Sequence, residues 1–367
     1  MRTKYIIIAI LGIICNLSLS AQSIHIPQNE AVIANFSLYE DDTLRYANHY
    51  LYEHAYRTIE DMLTDKQPVS FKDAVFAVEN ALLDGGGNYQ AFDYKIGLIA
   101  NNVLYDVKQL RSSMPSDATA KNLAITLFFA ENRISNNYQR CTYDLQSLYN
   151  DGGIVGGLVL SLLQNWKGTC RSMPYLFKII ADEIGAPSYI ACAPMHFYIK
   201  HQDNVGKWWC YETTRYAYLE EQHIYELNHI SPTAVQSGLY AKPLTDKEAL
   251  CLCLYDLCYF YEKKTGFYSN AFVRKCYQLG LRYNPVSILR ALEINDLKYQ
   301  LDKELWNLGG RSESDYLRFP DLNKRYQQLQ QLRRDYDALG HYEYTQTQIK
   351  DKIQLIKDYD EKNMLPK

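Results

Sequence analysis

The sequence predicts an α+β protein, with a small mixed core at 141–243 set between a helical N-terminal region, 22–140, and a helical C-terminal region, 244–367. Three observations predict it. Apolar residues recur at helical spacing through residues 36–140 and again from Thr245 onward. Met173, Leu176, Phe177, Ile179, Ile180 and Ile184 share one helical period, and Gly185 is the natural stop of that helix. Short runs with strand character follow, at Ser188–Cys192, Phe197–Lys200 and Lys207–Glu212, around a turn at Asp203–Gly206.

The N-terminal elements come first. Met1–Ala21 reads as a secretory signal: Arg2 and Lys4 give a positive start, Tyr5–Cys15 an apolar run, and Ser18–Ala21 small residues for cleavage before Gln22. The run is short for a membrane span. Lipid attachment at Cys15 is disfavoured by the large Ile14 before it. A soluble periplasmic or secreted chain with no stable membrane anchor is therefore expected. Leu44–Leu63 reads as an amphipathic helix. Phe71–Leu83 reads as a second, with Phe71, Ala74, Val75, Val78 and Leu82 on one face. Gly85–Gly87 closes that helix rather than opening one, and no Lys-Ser/Thr follows, so it is no phosphate loop. Ala91–Leu110 and Ala118–Ile134 read as a third and fourth helix. This region is expected to pack around the core and help wall its cleft.

In the core, Asp151–Gly153 and Gly156–Gly157 mark turns, and Leu158–Gln164 is a short apolar helix or strand. Thr213–Pro243 is a long connection with short helical pieces, of the kind that rims binding sites. His223 and His229 in it have no partner at metal-ligand spacing and read as surface residues. Beyond it, Lys247–Lys263 and Ala271–Leu281 make a helical hairpin whose Gly266, Tyr268 and Ala271 resemble tetratricopeptide offsets. A second pair is marked by Leu329, Leu332, Tyr336, Gly340 and Tyr342. Gly266 and Gly340 are 74 residues apart, not a multiple of the usual 34, so the region is a degenerate, interrupted repeat. It would buttress the core or dock a partner peptide on a concave face. Residues 320–365 read as a solvated helical pair.

Composition narrows the function. The formal net charge is −3, and removing Arg2 and Lys4 makes it more negative. That argues against a nucleic-acid binder, which carries a basic stripe. The 33 tyrosines read mostly as half-buried packing residues with wet hydroxyls. Eight of the nine cysteines follow the signal segment, and the chain is long enough to bury a core without disulfides. Cys251, Cys253 and Cys258 lack C-x-x-C spacing and an in-phase histidine, so they read as core; no metal or cofactor is expected.

The chemistry concentrates in three residues. Cys170 opens the buried helix, with Pro174 in its first turn. His196 follows 26 residues later and Glu212 another 16. Thiol acyl transfer needs a nucleophile, a base for its proton and a group that orients the base. The thiolate is the nucleophile, and free N–H groups at a helix start favour negative charge. Antiparallel pairing of the two strands would bring His196 and Glu212 together. Each residue alone has a plainer reading: a buried small hydrophobe, a structural histidine, a charge guarding a hairpin edge. Their order and spacing favour the chemical one.

The words G-T-C-R-S at 168–172, A-D-E-I-G at 181–185, A-P-M-H-F-Y-I at 193–199 and G-K-W-W-C-Y-E-T-T at 206–214 resemble the transglutaminase-like superfamily. Its core is a circularly rearranged relative of the papain-like cysteine protease fold. The run from Ile230 to Leu244 resembles bacterial members that carry helical repeats after the core. The resemblance covers about a quarter of the chain. It implies Cys170 as nucleophile, His196 as base and Glu212 as orienter, in a position where the superfamily more often has Asp. Gln164, six residues before Cys170, matches the papain-like glutamine that donates to the oxyanion, with the Cys170 N–H as second donor. Trp166 would shape the same wall. The expected activity is hydrolysis of a peptide or protein amide through a thioester. The alternatives are glutamine acyl transfer by the same residues, or a non-catalytic binding or assembly module. Hydrolysis is preferred because transfer needs an aromatic tunnel that excludes water. Trp208 and Trp209 must face opposite sides of their strand, so only Trp208 shares the Glu212 face.

Overall fold

Helices start where a side chain can take the first unpaired N–H groups. The computed structural model describes residues 46–144, 147, 154–266, 269–345, 347–349 and 354. The signal segment, Leu44, the Asp151–Gly153 turn, Phe267, Tyr268 and most of 346–367 lie outside the described residues. Helix α1 spans His49–Leu63 and α2 Phe71–Leu82, where Ser70 accepts from the Asp73 N–H. Helix α3 spans Tyr89–Leu110 and starts two residues earlier than expected because Asn88 accepts from the Ala91 N–H. Each such cap is worth about 1 kcal/mol. Helix α4 runs Asp117–Ala130 and stops four residues short of the expected Ile134. Glu131 turns extended, and the Asn136 amide takes the Phe128 carbonyl at 2.7 Å in place of a further helical turn.

The middle of the chain is mixed. Thr142–Tyr143 (β1) pairs in parallel with Lys167–Gly168 (β2), and Val159–Asn165 is helix α5. Helix α6, Ser172–Ile184, ends on Gly185 at φ 64°, as its sequence requires. Four antiparallel strands follow in spatial order: β3 Ser188–Ala193, β4 His196–Gln202, β5 Trp208–Glu212 and β6 Ala217–Leu219. The long connection expected at Thr213–Pro243 thus contains a strand. Glu212 pairs with Ala217, and the half-buried Ala-Tyr-Leu of β6 is too short to signal itself by alternation. The other sheet edge is covered, since the Ala241 and Leu244 N–H groups donate to Cys192 and Ile190 of β3. Helices α7 (Glu221–Leu227) and α8 (Pro232–Ser237) complete this part.

In the last third, α9 spans Asp246–Thr265 and α10 Ala271–Tyr283, the expected hairpin, with a Thr245–Glu248 capping box and Gly266 at φ 72°. Helix α9 is buried on nearly every side and packs on α1, α2 and α10. Cys251, Cys253 and Cys258 lie in this core as thiols; Cys251 Sγ sits 3.3 Å from the Lys247 carbonyl. Helix α11, Leu289–Asn307, has no clean apolar period, because Asp296, Lys298 and Asp302 are buried among its apolar residues. Helix α12, Pro320–Ala338, is the solvated helix expected there and buries Leu322, Leu329 and Tyr336. One continuous apolar core runs from Tyr52 on α1 to Tyr336 on α12. The fold is α+β, with helices dominant around one four-stranded sheet. Among the described residues, no helix is long and apolar enough to cross a membrane.

Candidate active site

The segment before α6 is built to hold one shape. Parallel pairing fixes it from one side: the Asp144 N–H donates to the Gly168 carbonyl at 2.7 Å. A Cβ on Gly168 would sit 2.7 Å from Met173 Cγ, so the chain passes here only without a side chain. The Thr169 N–H donates to Ser172 Oγ at 2.9 Å, and the Met173 N–H to the Thr169 carbonyl at 3.0 Å. Thr169 and Ser172 therefore close the first turn between them. The helix starts at Ser172, so Cys170 stands two residues before it rather than opening it, and Arg171 fills the cap position. Pro174 is the third helical residue, where a missing N–H costs nothing. Cys170 is wholly buried.

Arg171, which the sequence reading passed over, is the centre of a buried polar cluster. Its Nη1 donates to Glu79 Oε1 of α2 at 3.0 Å and to the Gly157 carbonyl at 2.6 Å. Its Nη2 forms an ion pair with Asp256 Oδ2 of α9 at 3.0 Å. The guanidinium also lies over the rings of Tyr175 and Phe260, 4.7 and 5.0 Å from their centroids. Tyr175 Oη donates to Asp256 at 2.8 Å. Glu79 further accepts from the Val159 and Leu160 N–H groups at 2.8 and 2.9 Å, and so caps α5. Burial alone would lower the Arg171 pKa, but Asp256 and Glu79 hold it above its ordinary value. The residue next to Cys170 is thereby tied to α2, α5 and α9 at once. A signal for it exists in the sequence: Glu79 and Asp256 are lone acids inside apolar helical runs, and a buried charge demands a partner.

The strand pair places the other two residues as expected. Lys200 pairs with Cys210 and Ile199 with Tyr211, so His196 and Glu212 share one face at the same end of the sheet. His196 Nε2 and Glu212 Oε2 are 2.5 Å apart, and both side chains are buried. Glu212 Oε1 accepts from Thr214 Oγ1 at 2.8 Å and from the Thr214 N–H at 3.1 Å. Burial pushes the Glu212 carboxyl up, but His196, Thr214 and Arg215 together outweigh it, and the net position is below the usual carboxylate range. His196 Nδ1 is buried with no hydrogen-bond partner. The alternate residues, Phe197 and Tyr211, turn toward α6. Tyr175 in the first turns of α6 stacks on Phe197, centroids 5.8 Å apart. That stack ties the first turns of α6 to the start of β4, on the face opposite His196 and Glu212.

The remaining expectations scatter. Gln164 is an exposed residue of α5. Trp166 packs against Phe128 of α4, centroids 5.7 Å apart. Trp208 packs on Tyr189 and Trp209 on Tyr218, on opposite faces as alternation requires. None of the three tryptophans lines the cavity that opens at His196, about 60 Å³ in volume. Its floor is the β3–β4 turn, where Pro194 presets the first turn residue and Met195 is held at φ 57°, an uncommon conformation for a long side chain. Its other walls come from α9, α11, the end of α12 and the segment 341–344. His223 and His229 are exposed, as expected of surface residues, and His229 stacks on Tyr342 of that segment at 4.7 Å. Compared with family models, curated proteins and solved structures, the chain matches none.

Proposed function

We propose that the chain is an exported cysteine-dependent amide hydrolase, with Cys170 as nucleophile, His196 as base and Glu212 as the group that orients the base. The observation that carries the reading is the buried His196–Glu212 pair. Glu212, itself fixed by Thr214, accepts a hydrogen bond from Nε2–H, which leaves the ring lone pair on Nδ1. That nitrogen is the one left for a thiol proton. Cys170 gives its proton to Nδ1 and attacks the amide carbon. The C–N bond breaks as the imidazolium protonates the leaving amine, and a thioester remains. Water, deprotonated by the same nitrogen, releases the acid. The backbone N–H of Cys170 is the proposed oxyanion donor, while Gln164 stands exposed on α5. The transglutaminase-like resemblance of the cysteine, histidine and acid segments supports the same roles. Water rather than an amine resolves the thioester, because a transferase tunnel needs tryptophans at the site. Trp208 stands four residues, about 13 Å, up the strand from Glu212.

One observation favours a second reading, a non-catalytic binding or assembly module. Cys170 is closed to solvent, as a packing cysteine is. Iodoacetamide labelling with mass mapping separates the two. Cys141 and Cys276 are equally closed, so exposure does not bias the comparison. The hydrolase reading expects Cys170 to label fastest near neutral pH. His196→Ala should slow it a hundredfold or more, and Glu212→Gln less. Equal rates at the three cysteines, unchanged by His196→Ala, mean the packing reading holds.

A further inference from the structure

We infer that the cavity beside His196 is the specificity pocket of this site, and that it takes a small aliphatic side chain flanking the scissile amide. The inference rests on the hydrolase reading and extends it to substrate class. Place is the first argument: His196 lines the cavity, so a side chain lodged there has its own amide at the imidazole. Chemistry is the second. Apart from His196, His341 and Glu343 the lining is apolar or aromatic, with Phe197, Tyr240, Tyr255, Ile288, Ala291 and Tyr336 among it. Besides the His196 nitrogen that serves as base, one buried polar atom on these walls, Tyr336 Oη, has no hydrogen-bond partner. A peptide amide carries both a donor and an acceptor for such a group.

Size is the third argument. A cavity of about 150 Å³ takes a benzene ring, and this one, at about 60 Å³, is less than half as large. It suits a side chain of two or three carbons. Charge is the fourth. Glu343 lies on the rim, and Asp337 raises its pKa further after burial has done so, which means the two carboxylates already repel each other. An acidic side chain would add a third negative charge. The walls are also held in place. Tyr240 Oη bonds His341 Nδ1 at 2.9 Å, Tyr336 stacks on His341 at 4.4 Å, and Ser237 Oγ donates to the Leu339 carbonyl at 2.7 Å. The C-terminal segment is thus docked as part of the site.

The test uses the full mature chain and acetyl-aminoacyl chloromethyl ketones in which the residue is Gly, Val, Phe or Asp. Cys170 sulfur displaces chloride, forming an S–C bond as C–Cl breaks, with the thiol proton passing to His196. Rates at Cys170 are divided by its iodoacetamide rate. The valine probe is expected to exceed glycine, phenylalanine and aspartate by tenfold or more, since each extra methylene in such a pocket is worth 10–200-fold. Ala291→Phe, which fills the cavity, should collapse the valine-to-glycine ratio to near one. Ile288→Ala, which enlarges it, should move the preference toward phenylalanine. Equal normalised rates for all four probes overturn the pocket and leave the thiol chemistry standing. If Cys170 reacts with neither reagent class, the hydrolase reading falls, and N-acetylvalinamide decides the pocket. A saturable shift of the His196 ring protons then supports it; none overturns it.

Discussion

Replacing Arg171 by Met tests whether the polar cluster behind Cys170 holds the three parts of the chain together. Methionine keeps most of the side-chain length and none of the charge. It leaves Glu79 and Asp256 buried without their cation, a change that costs about 3–5 kcal/mol where measured. The two acids do not suffer equally. Glu79 keeps two backbone N–H donors at 2.8 and 2.9 Å, whereas Asp256 keeps Tyr175 Oη at 2.8 Å. Most of the loss should therefore sit on Asp256. Loss of the contacts with Tyr175 and Phe260 adds about 0.5–2 kcal/mol. Against a total stability of about 5–15 kcal/mol, Arg171→Met removes about a quarter or more. Urea unfolding followed by circular dichroism measures it. Asp256→Asn in the Arg171→Met background should recover about 1–2 kcal/mol, although Asp256→Asn alone destabilises. Arg171→Lys should fall between wild type and Met, because an ammonium keeps the charge but cannot span both carboxylates. A cost below 1 kcal/mol for Arg171→Met, or strict additivity of the two substitutions, refutes the cluster as a structural joint.

Three further outcomes are expected. Burial pushes His201 down to about 4, so the unfolded chain binds the proton first as pH falls. Its contribution is full above about 6.5 and is lost between there and 4, by about 3 kcal/mol at most, and His201→Phe should flatten that part of a pH–stability curve. Burial and then Asp296 push Glu262 up to about 8. The folded chain therefore keeps a proton that the unfolded one loses, and stability falls as pH rises from about 4.5 to 8; Glu262→Gln should remove roughly 2–4 kcal/mol of that loss in denaturation at pH 8.5. Gly340 lies at φ 90°, and a Cβ there would stand 2.5 Å from the Ala234 backbone nitrogen. Gly340→Ala should cost about 2 kcal/mol or more and speed hydrogen exchange in residues 341–344, with α9 unaffected.

What was legible in the sequence had a short-range cause. The helix 172–184 could be read because six apolar residues share one period and a glycine ends it. The hairpin 196–212 could be read because a turn separates two aromatic runs. Boundaries were misread where a cap residue or a distant amide decided them, as Asn88 and Asn136 do. Strand β6 was missed because three half-buried residues carry no alternation. Helix α11 lies in the region expected to be helical, but its limits and buried face were not legible, because its buried Asp296, Lys298 and Asp302 look like a polar surface until their partners are placed: Arg274 and Tyr277 on α10 for Asp296, and each other at 2.6 Å for the last two.

The candidate site divides the same way. The His196–Glu212 pair followed from strand parity alone, since two residues of like parity on register-fixed partners must share a face. Arg171 and the cavity did not follow, because both depend on chain segments far apart in sequence. Glu79 precedes Arg171 by 92 residues and Asp256 follows Tyr175 by 81. The cavity at His196 is closed by Tyr240, Tyr336 and His341, brought there by α8, α12 and a hydrogen bond spanning 101 residues. Local pattern places the pair that would move a proton; long-range burial decides what reaches it. The C-terminal helices, expected as a buttress or a docking surface, supply the walls against which any bound side chain would be read. Substitutions in α11 and α12 should therefore alter which amide is accepted, while substitutions at His196 and Glu212 alter whether Cys170 reacts at all. If changes such as Ile288→Ala instead lowered iodoacetamide and all probe rates together, those helices would be mere support, and selectivity would have to be sought elsewhere on the sheet end.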